Sequence, residues 1–254
     1  MPPVAVVVPC YNEARRLRQE AFLAWLDADP DCHFCFVNDG SGDATGEVLQ
    51  ALRVRAPDRI SVLALAQNRG KAEAVRQGML HLAATDRFAH VGYWDADLAT
   101  PLRELRRMVD VIETRGSSLM VMGSRWRRLG STIERSGVRH VLGRVFASGA
   151  SLVLGLPVYD SQCGAKLIRS KAVSWLFAEP FSTRWLFDVE LLARLRNRLG
   201  RRAVLDAVVE VPLDEWRETG GSKIGTRDMI RVPLELLKIR RRYGRTGAAT
   251  GSTS

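Results

Sequence analysis

The chain has 254 residues, of which 46% are hydrophobic and 26% are charged, and this balance excludes general disorder and suits one large α/β domain. Its longest stretch without a charged residue, Val145 to Tyr159, is shorter than the roughly 20 apolar residues that a membrane-spanning helix needs. Much of the net charge of +10 lies in residues 123–144 and 224–254, which indicates an anionic partner such as phosphate, nucleic acid or acidic lipid.

Short apolar runs alternate with longer amphipathic ones through the first half of the chain, a pattern typical of βαβ units. The predicted strands cover residues 4–8, 33–37, 60–65, 90–94 and 118–124. The predicted helices cover residues 13–27, a segment ending at Arg55, residues 72–84, and a segment that begins at Pro101. The second half predicts helices near 138–154 and 185–199, a strand near 203–211 and a basic final helix. We therefore expect an α/β fold with a mostly parallel central sheet.

Four cysteines are too few for a disulfide framework at this length, and no secretory signal precedes the first predicted strand. We therefore expect a reducing, cytoplasmic setting. Cys32 and Cys35 form a CxxC pair at the start of an apolar run, and no second ligand pair follows them. We interpret them as strand-packing residues, with metal or redox use as the alternative.

Polar or glycine-containing loops follow the carboxyl ends of the first four predicted strands. These loops are PCYNE (9–13), NDGSGD (38–43), QNRGK (67–71) and DADLATP (95–101). Open parallel sheets place their ligand sites at this edge. The four loops therefore predict one common site.

Asp95 and Asp97 lie two residues apart, so their side chains should point to the same side of the fourth strand's end. Two carboxylates this close repel each other unless a cation lies between or beside them. Their hard oxygen atoms favour Mg²⁺ or Mn²⁺, which often share their coordination with substrate phosphates. The alternative is a helix cap by Asp97 or a solvated turn.

Asp39 follows the second strand, where its carboxylate would accept hydrogen bonds from a base or ribose; an Asx-type turn is the alternative. Arg69 and Lys71 follow the third strand and suit a diphosphate, although either would also be ordinary as a solvated cation. The GxxxxGK[ST] spacing of a Walker loop is absent from the sequence, which disfavours that type of nucleotide hydrolysis.

The ordered motifs resemble the family 2 glycosyltransferases, which have the GT-A fold. The motifs are VVVPCYNE (6–13), VNDGSGDAT (37–45), NRGKAEAVRQGM (68–79), DADLATP (95–101), GSR (123–125), DSQCGAKLI (160–168), RWLFDVELLARL (184–195) and EWRETGGSK (215–223). The later motifs look most like those of dolichyl-phosphate β-glucosyltransferases and bacterial polyprenyl-phosphate transferases. The resemblance covers about 220 residues in order.

The resemblance implies an inverting hexosyltransferase that uses a UDP-sugar, most simply UDP-glucose, and Mg²⁺ or Mn²⁺. The residues that would bind the nucleotide sugar are Pro9, Tyr11, Glu13, Asp39, Arg69, Lys71 and Asp95. Asp97 would ligate the metal, with Asp95 beside it or at the ribose. The cation and Lys71 or Arg69 would offset the charge that develops on the departing diphosphate.

On the acceptor side, the resemblance implies a polyprenyl phosphate at the cytoplasmic face of a membrane. The residues that would bind the acceptor or its phosphate are Arg125, Arg135, Arg139, Gln162, Cys163, Gly164 and Lys223. Asp188 matches the acceptor-side acid of the family. A lipid phosphate would attack without a base, whereas a hydroxyl acceptor would need Asp188 as general base. Trp185 and Trp216 would stack on the sugar or pack in the core.

Two other functions remain open at this stage: a transferase acting on a hydroxyl of a glycan, metabolite or protein, and a non-catalytic nucleotide- or nucleic-acid-binding protein. Ala99 stands where mannose transferases of the family often carry glutamine, which disfavours GDP-mannose. The apolar stretch after Arg144 and the basic final helix would suit a peripheral contact with a membrane; core burial and a solvated helix are their alternatives.

We expect one GT-A domain over residues 1–243 and a disordered tail over 244–254. Within the domain, the nucleotide-binding half would end near residue 124, an acceptor half would cover about 125–225, and a basic helix would cover about 226–243.

Overall fold

The computed structural model describes residues 2–134, 137–183, 185–218 and 226–244, with the side chains of 138–142 and 226–230 left out of the description. Its strands are β1 (Val4–Cys10), β2 (Cys32–Asp39), β3 (Ile60–Leu65), β4 (His90–Trp94), β5 (Met120–Ser124), β6 (Thr132–Glu134), β7 (Ala165–Arg169), β8 (Val208–Pro212) and β9 (Glu215–Arg217). Its helices are α1 (Gln19–Ala28), α2 (Thr45–Arg55), α3 (Lys71–Ala83), α4 (Arg103–Thr114), α5 (Gly137–Leu154), α6 (Ser170–Leu176), α7 (Phe187–Leu199), α8 (Arg201–Ala207) and α9 (Thr226–Tyr243).

Seven strands form the central sheet in the order β3-β2-β1-β4-β7-β5-β8. Every neighbouring pair is parallel except the two that involve β7, which runs antiparallel to β4 and to β5. The predicted α/β class with a mostly parallel sheet is confirmed. Because all the strands of this sheet except β7 run in the same direction, their carboxyl ends meet at one edge of the sheet.

Apolar side chains cover both faces of the sheet and form two cores. One core lies beneath α3, α5, α6 and α7, and the other lies beneath α1, α2 and α4. Tyr93 and Trp94 are adjacent on β4 and point into different cores, as the alternation of a strand requires. Cys32 and Cys35 are free and buried in β2, and burial raises the pKa of Cys35 to about 11. Their interpretation as packing residues is confirmed.

Two predicted elements were wrong in extent. The helix predicted from residue 13 begins only at Gln19, because the preceding residues form a loop whose backbone N–H groups bond to side chains of the next loop. The strand predicted near 203–211 is a short helix, α8, followed by β8. Gly200, at φ +83°, starts this helix, and the β-branched run that forms a strand begins only at Val208.

A second, two-stranded sheet pairs β6 with β9 in parallel. It reaches the loop after β4, because the backbone N–H of Arg217 donates to the carbonyl of Ala99 at 3.0 Å. Among the described residues, no helix is both long and apolar enough to cross a membrane.

Candidate active site

The loops after β1 and β2 are bonded to each other at the carboxyl edge of the sheet. Asn12 accepts a hydrogen bond from the backbone N–H of Gly42 through its side chain, at 3.0 Å, and its own N–H donates to the Ser41 hydroxyl, also at 3.0 Å. The N–H of Glu13 donates to the Thr45 hydroxyl at 2.8 Å. Asn12 adopts φ +52°, a strained conformation that these bonds maintain.

Three predicted nucleotide-binding residues lie on or beside these loops. Pro9 belongs to β1, and the ring of Tyr11 is exposed just beyond the strand. Glu13 is buried, with Arg16 3.4 Å from its carboxylate. The exposed ring of Tyr11 therefore lies at the sheet edge where the nucleotide site is predicted.

Asp39 joins the loop after β2 to the loop after β3. Its two carboxylate oxygens accept hydrogen bonds from the backbone N–H groups of Arg69, at 2.7 Å, and Gly70, at 2.8 Å. The local turn is held instead by Asn38, whose side chain accepts from the N–H of Ser41 at 3.1 Å. Gly40, at φ +61°, lies directly against the following loop, with no room for a Cβ. Asp39 therefore orders the segment that carries Arg69 and Lys71.

The loop after β4 is tightly folded around its two carboxylates. The N–H of Asp95 donates to the carbonyl of Gly164 at 3.0 Å, and Asp97 accepts from the N–H of Ala99 at 3.0 Å. Leu98 adopts φ +52°, and the indole N–H of Trp94 donates to the carbonyl of Thr100 at 2.8 Å. Helix α4 begins later, at Arg103, so Asp97 does not cap it. The paired aspartates are held by the backbone in a strained turn beside the predicted nucleotide site.

Lys71, the first residue of α3, forms an ion pair with Asp95 across the sheet edge. Burial lowers the pKa of Lys71, but the carboxylates of Asp95, Asp188 and Asp97 outweigh burial and raise it above its usual value. Lys71 is therefore a cation at neutral pH, and the predicted partners from two separate loops are in contact.

The residues present fit a hard divalent cation. Asp95 and Asp97 offer carboxylate oxygens from one turn, and the ammonium of Lys71 already lies beside Asp95 as a cation. No group of three or more His, Cys, Asp or Glu side chains within the described ranges is placed to hold a metal. A Mg²⁺ or Mn²⁺ ion on the two aspartates would thus need oxygen atoms from substrate phosphates or water, as these ions commonly do.

Asp188, whose charge acts on Lys71, lies in a buried polar cluster. One of its carboxylate oxygens, Oδ1, lies 2.6 Å from the ammonium of Lys166 and accepts a hydrogen bond from the Tyr93 hydroxyl at 2.5 Å. Lys166 also donates to the carbonyl of Cys163 at 2.7 Å and has no exposed surface. Burial, followed by the charge of Asp188, raises the pKa of Tyr93 far above its usual value, so its hydroxyl remains a donor.

Arg125, one of the predicted acceptor residues, is held by Asp160. Its Nε and Nη2 donate to the two carboxylate oxygens at 2.7 and 2.8 Å, and its backbone N–H donates to one of them at 3.0 Å. Its guanidinium also lies 5.4 Å from the centre of the Trp216 ring. Glu210 accepts from the N–H groups of Tyr159, at 2.7 Å, and Asp160, at 3.2 Å, and so fixes the loop that carries Asp160.

The segment 162–164 lies between these two regions. Gly164 packs directly on the Asp95 carboxylate and has no room for a Cβ. Cys163 is fully buried against Gly123 and Thr100, and burial raises its pKa to about 11. The amide Nε2 of Gln162 is buried without a hydrogen-bond partner among the described residues, which leaves a donor for a ligand.

The remaining predicted acceptor residues lie outside the description: Arg135 and Lys223 altogether, and Arg139 in its side chain. Trp185 packs against the core beneath α7, and Trp216 packs against the opposite core.

Comparison with known proteins agrees with this geometry. The family model described as "Glycosyl transferase family 2" matches residues 5–177. The chain belongs to glycosyl transferase family 2. A dolichyl-phosphate β-glucosyltransferase of Trichomonas vaginalis is 33% identical over 92% of this chain and 69% of its own length. The enzyme of the same name from Saccharomyces cerevisiae is 29% identical over 94% of this chain and 75% of its own length.

The solved structures similar to this family 2 glycosyltransferase include glucosyl-3-phosphoglycerate synthase of Mycobacterium tuberculosis, crystallised with Mn²⁺, UDP and glucosyl-3-phosphoglycerate. That structure has a TM-score of 0.67 at 19% identity, covering 100% of this chain and 84% of the other. The likeness confirms the predicted GT-A fold.

The structure brings most of the predicted donor-side residues of the glycosyltransferase to one edge of the sheet. It also reveals three residues to which the sequence assigned no role: Tyr93, Lys166 and Asp160. Lys166 had a detectable signal, since a lysine inside the apolar strand AKLI must find a buried anion.

Proposed function

We propose that the chain transfers glucose from UDP-glucose to a polyprenyl phosphate, with inversion at the sugar's C1, using Mg²⁺ or Mn²⁺. Two lines of similarity support the substrates: relatives named for dolichyl phosphate and glucose, and structural neighbours crystallised with UDP-glucose and Mn²⁺. The observation that carries the choice of a phosphate acceptor is the bonding of Asp188 to Lys166 and Tyr93.

On the donor side, Asp95 and Asp97 would hold the metal, which supplies positive charge to the diphosphate leaving group. Lys71 lies in contact with Asp95 and keeps its charge. Its ammonium therefore adds a second positive charge where negative charge develops as the glycosidic bond breaks. Asp39 contributes by fixing the backbone between Arg69 and Lys71.

On the acceptor side, a general base must reach the proton that it removes. Asp188 is only 4% exposed, and the oxygen described above already has an ammonium and a hydroxyl as partners. Such a carboxylate is a poor base for an incoming hydroxyl. A phosphate monoester is ionised at neutral pH and attacks without proton removal, so the arrangement favours a phosphate acceptor.

The test is a matched pair of acceptors. The full-length protein is incubated with UDP-glucose and Mn²⁺, and with either farnesyl phosphate or farnesol, which differ only in the phosphate. We expect a glucosyl product with β configuration from farnesyl phosphate and none from farnesol. Transfer to farnesol alone would show that the enzyme acts on a hydroxyl, and tight RNA binding without UDP-glucose turnover would overturn the enzymatic proposal.

We further propose that the enzyme works at the cytoplasmic face of a membrane through α5 and α9, which pack against each other. Val145 and Leu152 are exposed on one face of α5, and Leu234 and Leu237 are exposed on one face of α9. The last turn of α9 carries Arg240, Arg241 and Arg242. Exposed apolar side chains beside arginines suit an anionic lipid surface.

Vesicle flotation tests this contact. We expect the protein to float with vesicles containing phosphatidylglycerol and to remain behind with pure phosphatidylcholine. Replacing Leu234 and Leu237 by serine should abolish flotation, whereas Val54→Ser, at an even more exposed site on α2, should not. The proposed membrane contact would be contradicted if the wild type floated with neither kind of vesicle. It would also be contradicted if the leucine variant floated as well as the wild type.

A further inference from the structure

An apolar cavity of about 300 Å³ lies beside the candidate site, on the face of the sheet that α7 covers. Most of its wall is hydrophobic, with Leu156, Val158, Leu192 and Val204 among the lining residues, and the carboxylate of Glu210 forms part of one side. This volume is at the lower end of the range for ligand-binding cavities, about 300–1,000 Å³. It suits a short hydrocarbon segment.

Two contacts place the cavity next to the buried cluster of Asp188. Leu192 lines the cavity and is four residues after Asp188 on α7, so the two side chains share one face of the helix, about 5–6 Å apart at Cβ. Met122, another lining residue, is the direct cross-strand partner of Lys166. The cavity therefore begins one helical turn from the cluster of Asp188, Lys166 and Tyr93.

The third link is to Arg125. Ser124 and Trp126 line the cavity on either side of this arginine in sequence, and Tyr159 lines it next to Asp160, the partner of Arg125. The guanidinium of Arg125 itself lies over the ring of Trp216, which packs against the opposite core, so Arg125 is connected to the cavity through the loop that carries Tyr159 and Asp160.

The rim of the cavity is aromatic and basic. The rings of Trp126 and Tyr159 lie 5.6 Å apart, and the guanidinium of Arg144 lies 3.8 Å from the centre of the Tyr159 ring. Arg144 also donates to the carbonyl of Tyr159 at 3.0 Å. An apolar interior with a cationic rim is complementary to a molecule that has an anionic head and a hydrocarbon tail.

The carboxylate of Glu210 does not contradict this assignment. Burial raises its pKa, and it accepts hydrogen bonds from the backbone of Tyr159 and Asp160. Its oxygens are therefore directed to the loop, and its role is to position that loop at the rim.

From these contacts we propose that the cavity binds the first isoprene units of the acceptor, those nearest to the phosphate. The proposal rests on the proposed function and adds a recognition site for the hydrocarbon that the donor and metal residues do not supply. Longer acceptors extend from the cavity, because its volume holds only a short segment of a polyprenyl chain.

The test compares two phosphate acceptors that differ in hydrocarbon length, farnesyl phosphate and butyl phosphate, with UDP-glucose and Mn²⁺ held constant. We expect kcat/KM to be at least ten times higher for farnesyl phosphate. Leu205→Glu places a charge on the cavity wall at a half-exposed position of α8. It should reduce kcat/KM for farnesyl phosphate at least tenfold and change that for butyl phosphate by less than twofold.

Val54→Glu is the matched control, because it adds the same charge at an exposed site on α2 outside the cavity. It should leave both acceptors unchanged. Val158→Trp, which fills the cavity without adding charge, should reproduce the selective loss. The cavity assignment would be overturned if the wild type had equal kcat/KM for the two acceptors. It would also be overturned if the cavity variants lost kcat/KM equally for both. Either result would leave the proposed function standing. Transfer to neither phosphate would overturn both.

Discussion

The ammonium of Lys71 forms an ion pair with the carboxylate of Asp95, one of the two aspartates that would hold a divalent cation. The two residues come from different loops, one at the start of α3 and the other after β4. In the ligand-free protein the lysine therefore occupies a cation position at the metal site. A bound metal would compete with the ion pair for Asp95 until a diphosphate offered Lys71 another anion.

Replacing Lys71 by methionine should strengthen the binding of Mn²⁺ alone and weaken catalysis. Removal of the neighbouring charge at this partly exposed site should tighten Mn²⁺ binding by roughly three- to tenfold, the effect of about 1 kcal/mol. Turnover of UDP-glucose should fall by about 10²–10³-fold, because a cation at the leaving group is lost. Calorimetry without nucleotide measures the first effect, and steady-state kinetics measures the second.

Lys171→Met, an exposed change on α6, is the control and should alter neither quantity. Asp97→Asn should abolish Mn²⁺ binding in the same calorimeter. Weaker Mn²⁺ binding by the Lys71 variant would show that the lysine supports the metal site rather than competing with it.

Asp188→Asn should cost less than about tenfold in kcat with farnesyl phosphate. Asparagine retains an oxygen that accepts from Tyr93 and Lys166, and the phosphate acceptor needs no base. Loss of a true general base typically costs about 10²–10⁴-fold. Initial rates with saturating UDP-glucose provide the measurement, with Asp206→Asn, an exposed change on α8, as the control. A thousandfold loss in a folded variant would instead identify a base.

Lys166→Met should destabilise the protein by about 3–5 kcal/mol, because it leaves Asp188 buried without its ammonium partner. Adding Asp188→Leu to this variant should recover part of the loss, since the unpaired charge is then removed. Urea unfolding of wild type, both single variants and the double variant gives the coupling free energy. Purely additive losses would mean that the pair is not coupled.

Folding stability should decrease as the pH falls from about 6.5 to about 4, partly through His33. Burial is the largest cause that lowers its pKa, to about 4, and the nearby charge of Arg87 acts in the same direction. In the unfolded chain the histidine has its ordinary pKa of about 6.5, so between pH 6.5 and 4 it binds a proton that the folded chain does not bind. The contribution of His33 to the free energy of unfolding is therefore fully present above pH 6.5 and is lost as the pH falls.

In His33→Gln, the free energy of unfolding should fall between pH 7 and 4.5 by roughly 2 kcal/mol less than in the wild type. Urea unfolding at the two pH values measures the difference. An unaltered slope in the His33 variant would show that other groups account for the loss.

The sequence by itself determined the α/β class, the first five strands and the convergence of the loops that carry Asp39, Lys71, Asp95 and Asp97. These features follow from the alternation of apolar and polar residues between near neighbours, and from the rule that parallel strands end at one edge. The sequence also contained enough motifs, in the order typical of the family, to indicate the family.

Only the tertiary structure decided which charges pair. Tyr93, Lys166 and Asp188 meet because the first turn of α7 contacts side chains of β4 and β7. Arg125 meets Asp160 because Glu210 on β8 fixes the loop between α5 and β7. The start of α1 was decided in the same way, by hydrogen bonds to the loop after β2 that overrode local helix propensity. Such contacts join residues far apart in sequence, and their partners depend on how whole elements pack, which no local pattern specifies.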